Sequence, residues 1–129
     1  MNISLHYNIE VDIDRKLITS KIYGMWKRET AIAYAEESKE AVKPLLGGKW
    51  ARLINLSNWK SSYPEIVEIL NELVRWSYDN GAGCLVYVID NPILMRMLKK
   101  MVKIGHANGS TRMFRTAFEA DRFLKEQGF

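Results

Sequence analysis

Residues able to do chemistry are few in this chain and stand far apart. The two histidines, His6 and His106, lie near opposite ends, and neither has a His, Cys, Asp or Glu at metal-ligand spacing. The one cysteine, Cys84, opens an apolar run, which predicts a packed and inert thiol. No glycine-rich phosphate loop follows a predicted strand. We therefore predict a non-enzymatic protein without a metal or cofactor, leaving open only a catalytic site assembled from distant residues.

The strongest chemical signal is a basic stretch without acidic residues, from Asn91 to Phe118. Its six cationic side chains are Arg96, Lys99, Lys100, Lys103, Arg112 and Arg115. Since the whole chain carries +4 and this stretch +6, the remainder is mildly acidic, at −2. Such an asymmetry indicates an anionic partner.

A helix from Pro92 to Ile104 is predicted for half of this stretch, because Asn91 supplies a cap and Pro92 suits the first turn. At one residue per 100°, four cations fall within a single arc of about 100°. They are Arg96, Lys99, Lys100 and Lys103. Met97 and Met101 belong to a wide apolar face, and basic amphipathic helices of this kind suit anionic membrane surfaces. The alternative is the ordinary solvated face of a helix that covers a sheet.

Tryptophans form a second candidate site. Trp26 and Trp59 each follow a predicted strand, at the edge where open α/β sheets bind their ligands. They are candidates for the wall of an apolar pocket or for an interfacial anchor. The competing interpretation is packing in the core, because indoles are large and mostly buried.

The elements that must position these residues follow from hydrophobic spacing and helix caps. The predicted strands are Ile3–Ile13, Leu17–Met25, Trp50–Leu56, Cys84–Ile89 and Thr111–Arg115. The predicted helices are Glu29–Lys43, a helix opened by a capping box with Ser62 at the cap and Glu65 three residues on, Pro92–Ile104, and a last helix from Thr116 to about Gln127. The order ββαβαβαβα indicates one α/β domain over residues 1–129, with a mixed, mainly parallel sheet covered by helices.

This order, with Gly24-Met-Trp26 before the first helix and Trp50-x-x-Leu-Ile-Asn-Leu in the next strand, resembles the SpoIIAA-like proteins of the STAS-like superfamily. The resemblance covers about Ile9 to Leu124 and implies a layered α/β fold of successive βα units. It also implies association with membranes and binding of a lipid-like apolar ligand between helices. The family's relatives, the sporulation anti-anti-sigma factors, imply the alternative of a regulatory protein–protein domain that switches partners.

Anti-anti-sigma members carry a phosphorylated serine after the strand that matches Trp50–Leu56, in an Asp-Ser-Ser-Gly or Asp-Ser-Thr-Gly context. The segment here reads Leu56-Ser57-Asn58-Trp59 and lacks both the acidic residue and the glycine. The resemblance thus makes Ser57 a candidate phosphorylation site, with Ser61 and Ser62 as the other candidates.

Composition places the chain among globular proteins. No apolar run approaches the roughly 18 residues of a membrane span, the start has no signal-peptide pattern, and a single cysteine suits a reducing compartment. We expect a cytoplasmic protein, peripheral at the inner membrane surface, that binds an anionic membrane surface or a lipid-like small molecule. A protein partner or a homodimer is the alternative. Nucleic acid is disfavoured, because no stacking sheet or recognition-helix motif accompanies the charge.

Overall fold

The computed structural model describes residues 6–60, 63–105 and 111–129, and for residues 101–105 it describes the backbone only. Within these ranges the predicted order ββαβαβαβα is confirmed. The strands are β1 (Tyr7–Asp12), β2 (Leu17–Gly24), β3 (Trp50–Trp59), β4 (Ala82–Val88) and β5 (Thr111–Phe114). The helices are α1 (Arg28–Ala41), α2 (Pro64–Asp79), α3 (Pro92–Gly105) and α4 (Ala117–Glu126), and a short 3-10 turn (Lys43–Leu45) follows α1.

The sheet is mixed and mainly parallel, as predicted. Its strand order is β1-β2-β3-β4-β5, with β1 antiparallel to β2 and every later pair parallel. The carboxyl ends of β2, β3, β4 and β5 therefore meet at one edge of the sheet, here called the carboxyl edge. Each of the segments that follow these strands begins at that edge, so α1, α2, α3 and α4 all have their first turns there.

Helices cover both faces of the sheet. On one face, β2, β3 and β4 pack against α1, α2 and α3 in a large apolar cluster that includes Ile22, Ile54, Leu70 and Leu98. On the other face, α4 alone contributes Ala120 and Leu124 to a smaller cluster. Apolar positions with a period of two in the strands and near 3.6 in the helices produce these layers.

Two of the three predicted caps are confirmed. The Asn91 side chain accepts hydrogen bonds from the amides of Ile93 (3.0 Å) and Leu94 (3.2 Å) at the start of α3. At the start of α4 the Thr116 hydroxyl accepts from the Glu119 amide at 3.2 Å and donates to the Glu119 carboxylate at 3.0 Å. These caps satisfy amides that no helical carbonyl can reach.

The predicted start of α2 is wrong by one residue. Tyr63, not Ser62, is the N-cap, its backbone is extended, and its side chain forms no capping hydrogen bond. The reason is Pro64: proline favours the first helical position and pushes the residue before it out of the helical region. Ser62 itself lies outside the described residues. The helix ends at Asp79, and Gly81 just beyond it adopts a φ of +98° that suits glycine.

The predicted end of β3 is also wrong. The strand continues past Leu56 to Trp59, because its last residues pair with the far end of β2 (Gly24 with Trp59) beyond the reach of β4. The polar pair Ser57-Asn58 concealed this extension.

Candidate functional site

The described cations of α3 form a continuous exposed surface. Arg96, Lys99 and Lys100 all have exposed side chains and are here called the cationic face. All 15 acidic residues of the chain lie in the described ranges, yet none of them forms an ion pair with these three. Elsewhere in the described chain, five ion pairs link lysines and arginines to carboxylates. The cationic face is therefore electrostatically available to an external anion.

The opposite side of α3 holds the helix in place. Leu94 and Leu98 are buried in the large apolar cluster against α2, and Met97 is half-buried at its margin. The two faces of α3 thus separate as the helical spacing predicts. The side chains of Met101 and Lys103, which complete the predicted set, lie outside the described residues.

Large apolar side chains are exposed at the carboxyl edge. Each of the four parallel strands is followed there by one such residue: Met25, Tyr63, Ile93 and Phe118. Their exposed fractions run from 55% to 77%, among the highest of the described large apolar side chains. Ile93 also shares a stripe of α3 with Arg96 and Lys100, three and seven residues on. Apolar and cationic groups therefore meet where α3 begins.

Trp26 and Trp59 lie together, but inside the molecule. Each indole is only 3% exposed, and their ring centroids are 5.5 Å apart in an edge-to-face contact. Trp26 also donates its N–H to the carbonyls of His6 and Tyr23, each at 3.1 Å. The interpretation as interfacial anchors is therefore wrong for this conformation, and the two rings form part of the core beneath the carboxyl edge. Their role as the wall of an apolar pocket stays a prediction.

Ser57 has an exposed side chain, but it lies within β3 and not in a loop after it. Its amide donates to the Asn55 side chain at 3.0 Å. Ser61 and Ser62 lie outside the described residues. Phosphorylation at any of the three serines therefore stays a prediction.

The sequence patterns missed a charged residue at the centre of the domain. Arg52 lies on the middle strand, faces α1 and α2, and is fully buried. Its Nε donates to Ser77 Oγ on α2 at 3.0 Å, and one terminal nitrogen donates to Ser38 Oγ on α1. Its guanidinium carbon lies 5.3 Å from the ring centroid of Trp50, a cation–π contact. The one available signal was an arginine inside an otherwise apolar strand.

The charge of Arg52 has no carboxylate counter-ion in the described chain, which contains every acidic residue. Burial lowers the pKa of its guanidinium, opposed by the nearby hydroxyls of Tyr34 and Tyr87. Burial likewise raises the pKa of both tyrosines, so each phenol is neutral near pH 7. An arginine stays protonated in proteins, so the interior holds one uncompensated positive charge.

Other chemistry is sparse in the described chain. No group of three or more His, Cys, Asp or Glu residues could hold a metal ion there. Cys84 is buried, and burial raises the pKa of its thiol, so it is a poor nucleophile. Among the described helices, none has the length and apolar character needed to cross a bilayer.

Comparison with known proteins places this chain by fold. It superposes with a TM-score of 0.68 on the crystal structure of an uncharacterised DUF3478-family protein with a SpoIIAA-like fold, from Shewanella loihica PV-4. The match covers 96% of this chain and 98% of that one, at 10% sequence identity. No family model matches the sequence, and no curated protein matches it significantly.

The class of protein is thus defined by its architecture: a layered α/β domain with a mixed sheet and an amphipathic basic helix. The chain has a SpoIIAA-like fold, as the sequence resemblance predicted. At this level of identity the likeness concerns the fold alone.

Proposed function

We propose that this protein is a non-catalytic module that associates peripherally with anionic membranes. The single observation that carries the proposal is the cationic face, three exposed cations on one helix that have no counter-ion among the described residues. The apolar residues exposed at the carboxyl edge support it. The binding surface would combine both features.

The cationic face supplies the electrostatic part of binding. Each lysine or arginine close to an acidic lipid surface contributes on the order of 1 kcal/mol, and the attraction fades beyond a Debye length of about 8 Å at physiological salt. Three such groups produce weak, reversible and salt-sensitive binding. This strength suits a protein that exchanges between solution and membrane.

Apolar residues at the carboxyl edge supply the second part. Ile93, 70% exposed on the first turn of α3, is the residue best placed to enter the headgroup region together with Arg96. Burial of an isoleucine side chain contributes roughly 1.5–3 kcal/mol, which salt does not screen. Charge and apolar insertion are therefore separable by experiment.

Cosedimentation of the full chain with vesicles tests the proposal. The vesicles are phosphatidylcholine alone or phosphatidylcholine with phosphatidylserine, each at low and at about 0.15 M ionic strength. We expect binding to the mixed vesicles that weakens with salt. The double variant Lys99→Glu/Lys100→Glu should bind them at least about ten-fold more weakly.

Two matched controls lie at the opposite edge of the sheet. Lys16→Glu/Lys49→Glu changes the net charge equally but at exposed positions before β2 and β3, and it should leave binding within about two-fold of wild type. Ile93→Ser should weaken the salt-resistant part of binding, whereas Ile13→Ser, 57% exposed in the β1–β2 turn, should not. Equal losses of binding in the two charge-reversal double variants would show that only the net charge of the protein matters. Equal binding to neutral and acidic vesicles would refute the role of the cationic face.

The regulatory alternative has its own outcome. If the protein binds neither kind of vesicle but carries phosphate on Ser57 in its native cell, it is a partner-switching domain instead. Mass spectrometry of protein purified from that cell measures this directly.

A further inference from the structure

Four buried polar atoms around Arg52 make no hydrogen bond of normal geometry in the described part of the chain, although Tyr34 lies beside Ser20 and Arg52. They are the second terminal nitrogen of Arg52 and the hydroxyls of Ser20, Tyr34 and Tyr87. All four side chains are at most 1% exposed. Buried polar groups without partners are rare in folded proteins, and each requires an explanation. Here four of them accompany an uncompensated positive charge.

The topology brings these groups together on one face of the sheet. Ser20 on β2 and Tyr87 on β4 both pair in register with Ile54 on β3, so the two flank the same point of the middle strand. Arg52 lies two residues before Ile54 and therefore points to the same face. Tyr34 on α1 covers them from above, with Ser20 and Arg52 close enough to lower the pKa of its phenol against the raising effect of burial.

The free donors define what could bind. Nε and one terminal nitrogen of Arg52 each donate to a serine hydroxyl, so the second terminal nitrogen is the one left without a partner. This nitrogen and three neutral hydroxyls remain, and each of them can donate to an acceptor. A monovalent anion would neutralise the guanidinium, whereas a dianion would leave a buried negative charge in its place.

We propose that Arg52, Ser20, Tyr34 and Tyr87 form an internal site for one small monovalent anion, of the class of a halide or a single-oxygen-bound carboxylate. The site is independent of the cationic face of α3, which takes its anions from outside. It is enclosed by α1 and α2, so a bound ion exchanges only when those helices part from the sheet. The carboxylate could belong to a free small acid or to the head of a fatty acid whose chain occupies the apolar layer.

Thermal unfolding of the full chain tests this site. The protein is melted in buffer with gluconate, whose polar polyhydroxy chain cannot enter the apolar layer, and then with chloride, bromide, acetate, decanoate or sulfate at equal ionic strength. We expect a rise in melting temperature of about 2–4 °C in chloride and bromide that saturates with anion concentration, and in sulfate only the non-saturating stabilisation that this salt gives proteins in general. A rise with acetate extends the site to free carboxylates, and a larger rise with decanoate identifies the head of an amphiphile.

Variants locate the effect. Tyr87→Phe removes one hydroxyl without changing the packing, and it should lose most of the anion-dependent rise, whereas Tyr63→Phe at the exposed edge should keep it. Arg52→Met should abolish the rise, and Lys99→Glu/Lys100→Glu should leave it intact. Retention of radioactive chloride-36 by wild type but not by Tyr87→Phe after rapid gel filtration gives a second readout that does not depend on stability, because an enclosed ion leaves slowly.

Two results would overturn the site. One is the same melting temperature in gluconate and in every monovalent anion. The other is an anion effect that survives in both Arg52→Met and Tyr87→Phe, since that would place the ion elsewhere on the protein. If Arg52→Met fails to fold, Tyr87→Phe and Tyr34→Phe decide the question alone.

Discussion

The interior around Arg52 and the cationic face of α3 both contain cations without carboxylate partners, but one lies in the protein core and the other in water. Arg52 is fully buried, while Arg96, Lys99 and Lys100 are exposed. Removal of a charge from water costs several kcal/mol, so Arg52 requires serine hydroxyls and an indole face around it. The exposed cations keep their hydration and need no such protein groups around them. An unpaired charge on the surface is therefore free to meet an external anion, whereas one in the core depends on an organised internal environment.

Replacement of Arg52 should produce the largest effect and separate its charge from its shape. Arg52→Ala leaves a cavity between β3, α1 and α2, and we expect it to reduce the free energy of unfolding by about 3–5 kcal/mol. Both variants remove the buried charge and its hydrogen bonds, but Arg52→Met keeps most of the volume, so its loss should be smaller by at least about 2 kcal/mol. Urea unfolding in gluconate buffer measures both.

An equal loss in the two Arg52 variants would contradict this reasoning. It would mean that the methionine side chain does not fill the space left by the arginine, so that the cavity cost is the same in both variants. The matching variant of the surface, Lys99→Met, should change the free energy of unfolding by less than about 0.5 kcal/mol.

The two faces of α3 supply the second comparison. Leu98 is 1% exposed against α2, so Leu98→Ala should destabilise the fold by about 2–4 kcal/mol. Ile93 lies on the same helix at 70% exposure, and Ile93→Ala should cost less than about 0.5 kcal/mol. Urea unfolding of both variants checks the difference. Similar small losses would show that α3 is held weakly on both faces.

The fold was predictable because its signals are local. Alternation in β1, the continuous apolar run of β4 and the caps Asn91 and Thr116 each identify an element within a few residues. The order of the elements then restricts the sheet to few topologies. The errors lie at boundaries, where a neighbour decides: Pro64 sets the start of α2, and the far end of β2 extends β3 to Trp59.

The cationic face was predictable for the same reason, since Lys99 and Lys100 follow Arg96 by three and four residues on one helix. The buried polar group around Arg52 was not predictable. Its hydrogen-bonding partners Ser38 and Ser77 stand 14 and 25 residues away on two different helices. No spacing rule joins such positions, because only the packed sheet and helices bring them together. Trp26 and Trp59 show the same limit, since their sequence contexts did not distinguish a buried aromatic cluster from a surface anchor.

An arginine with a carboxylate partner completes the comparison, and we expect the smallest effect on stability from its pair. Arg15 in the β1–β2 turn donates to the Asp121 carboxylate on α4 at 2.8 Å and to the Phe129 carbonyl at 3.0 Å. The hydrogen bond from Arg15 holds the pKa of Asp121 below its ordinary value, with a further contribution from Lys125. Because both side chains of the Arg15–Asp121 pair are partly exposed, its contribution to stability should be well under about 1 kcal/mol.

The sign of its pH dependence follows from the lowered pKa. The folded state binds the Asp121 proton more weakly than the unfolded chain, whose carboxyl titrates near about pH 3.9. The pair therefore stabilises the fold above that value, and the contribution is lost as the pH falls through the folded-state pKa. Asp121→Asn should lower the free energy of unfolding slightly at pH 7 and leave it unchanged at acidic pH. Glu72→Gln, at an exposed carboxylate without an ion pair in the described chain, should leave it unchanged at both. A difference in the free energy of unfolding between wild type and Asp121→Asn that stays constant over this pH range would contradict the prediction. It would show that the Arg15–Asp121 pair contributes no more to stability than the exposed cations that have no partner.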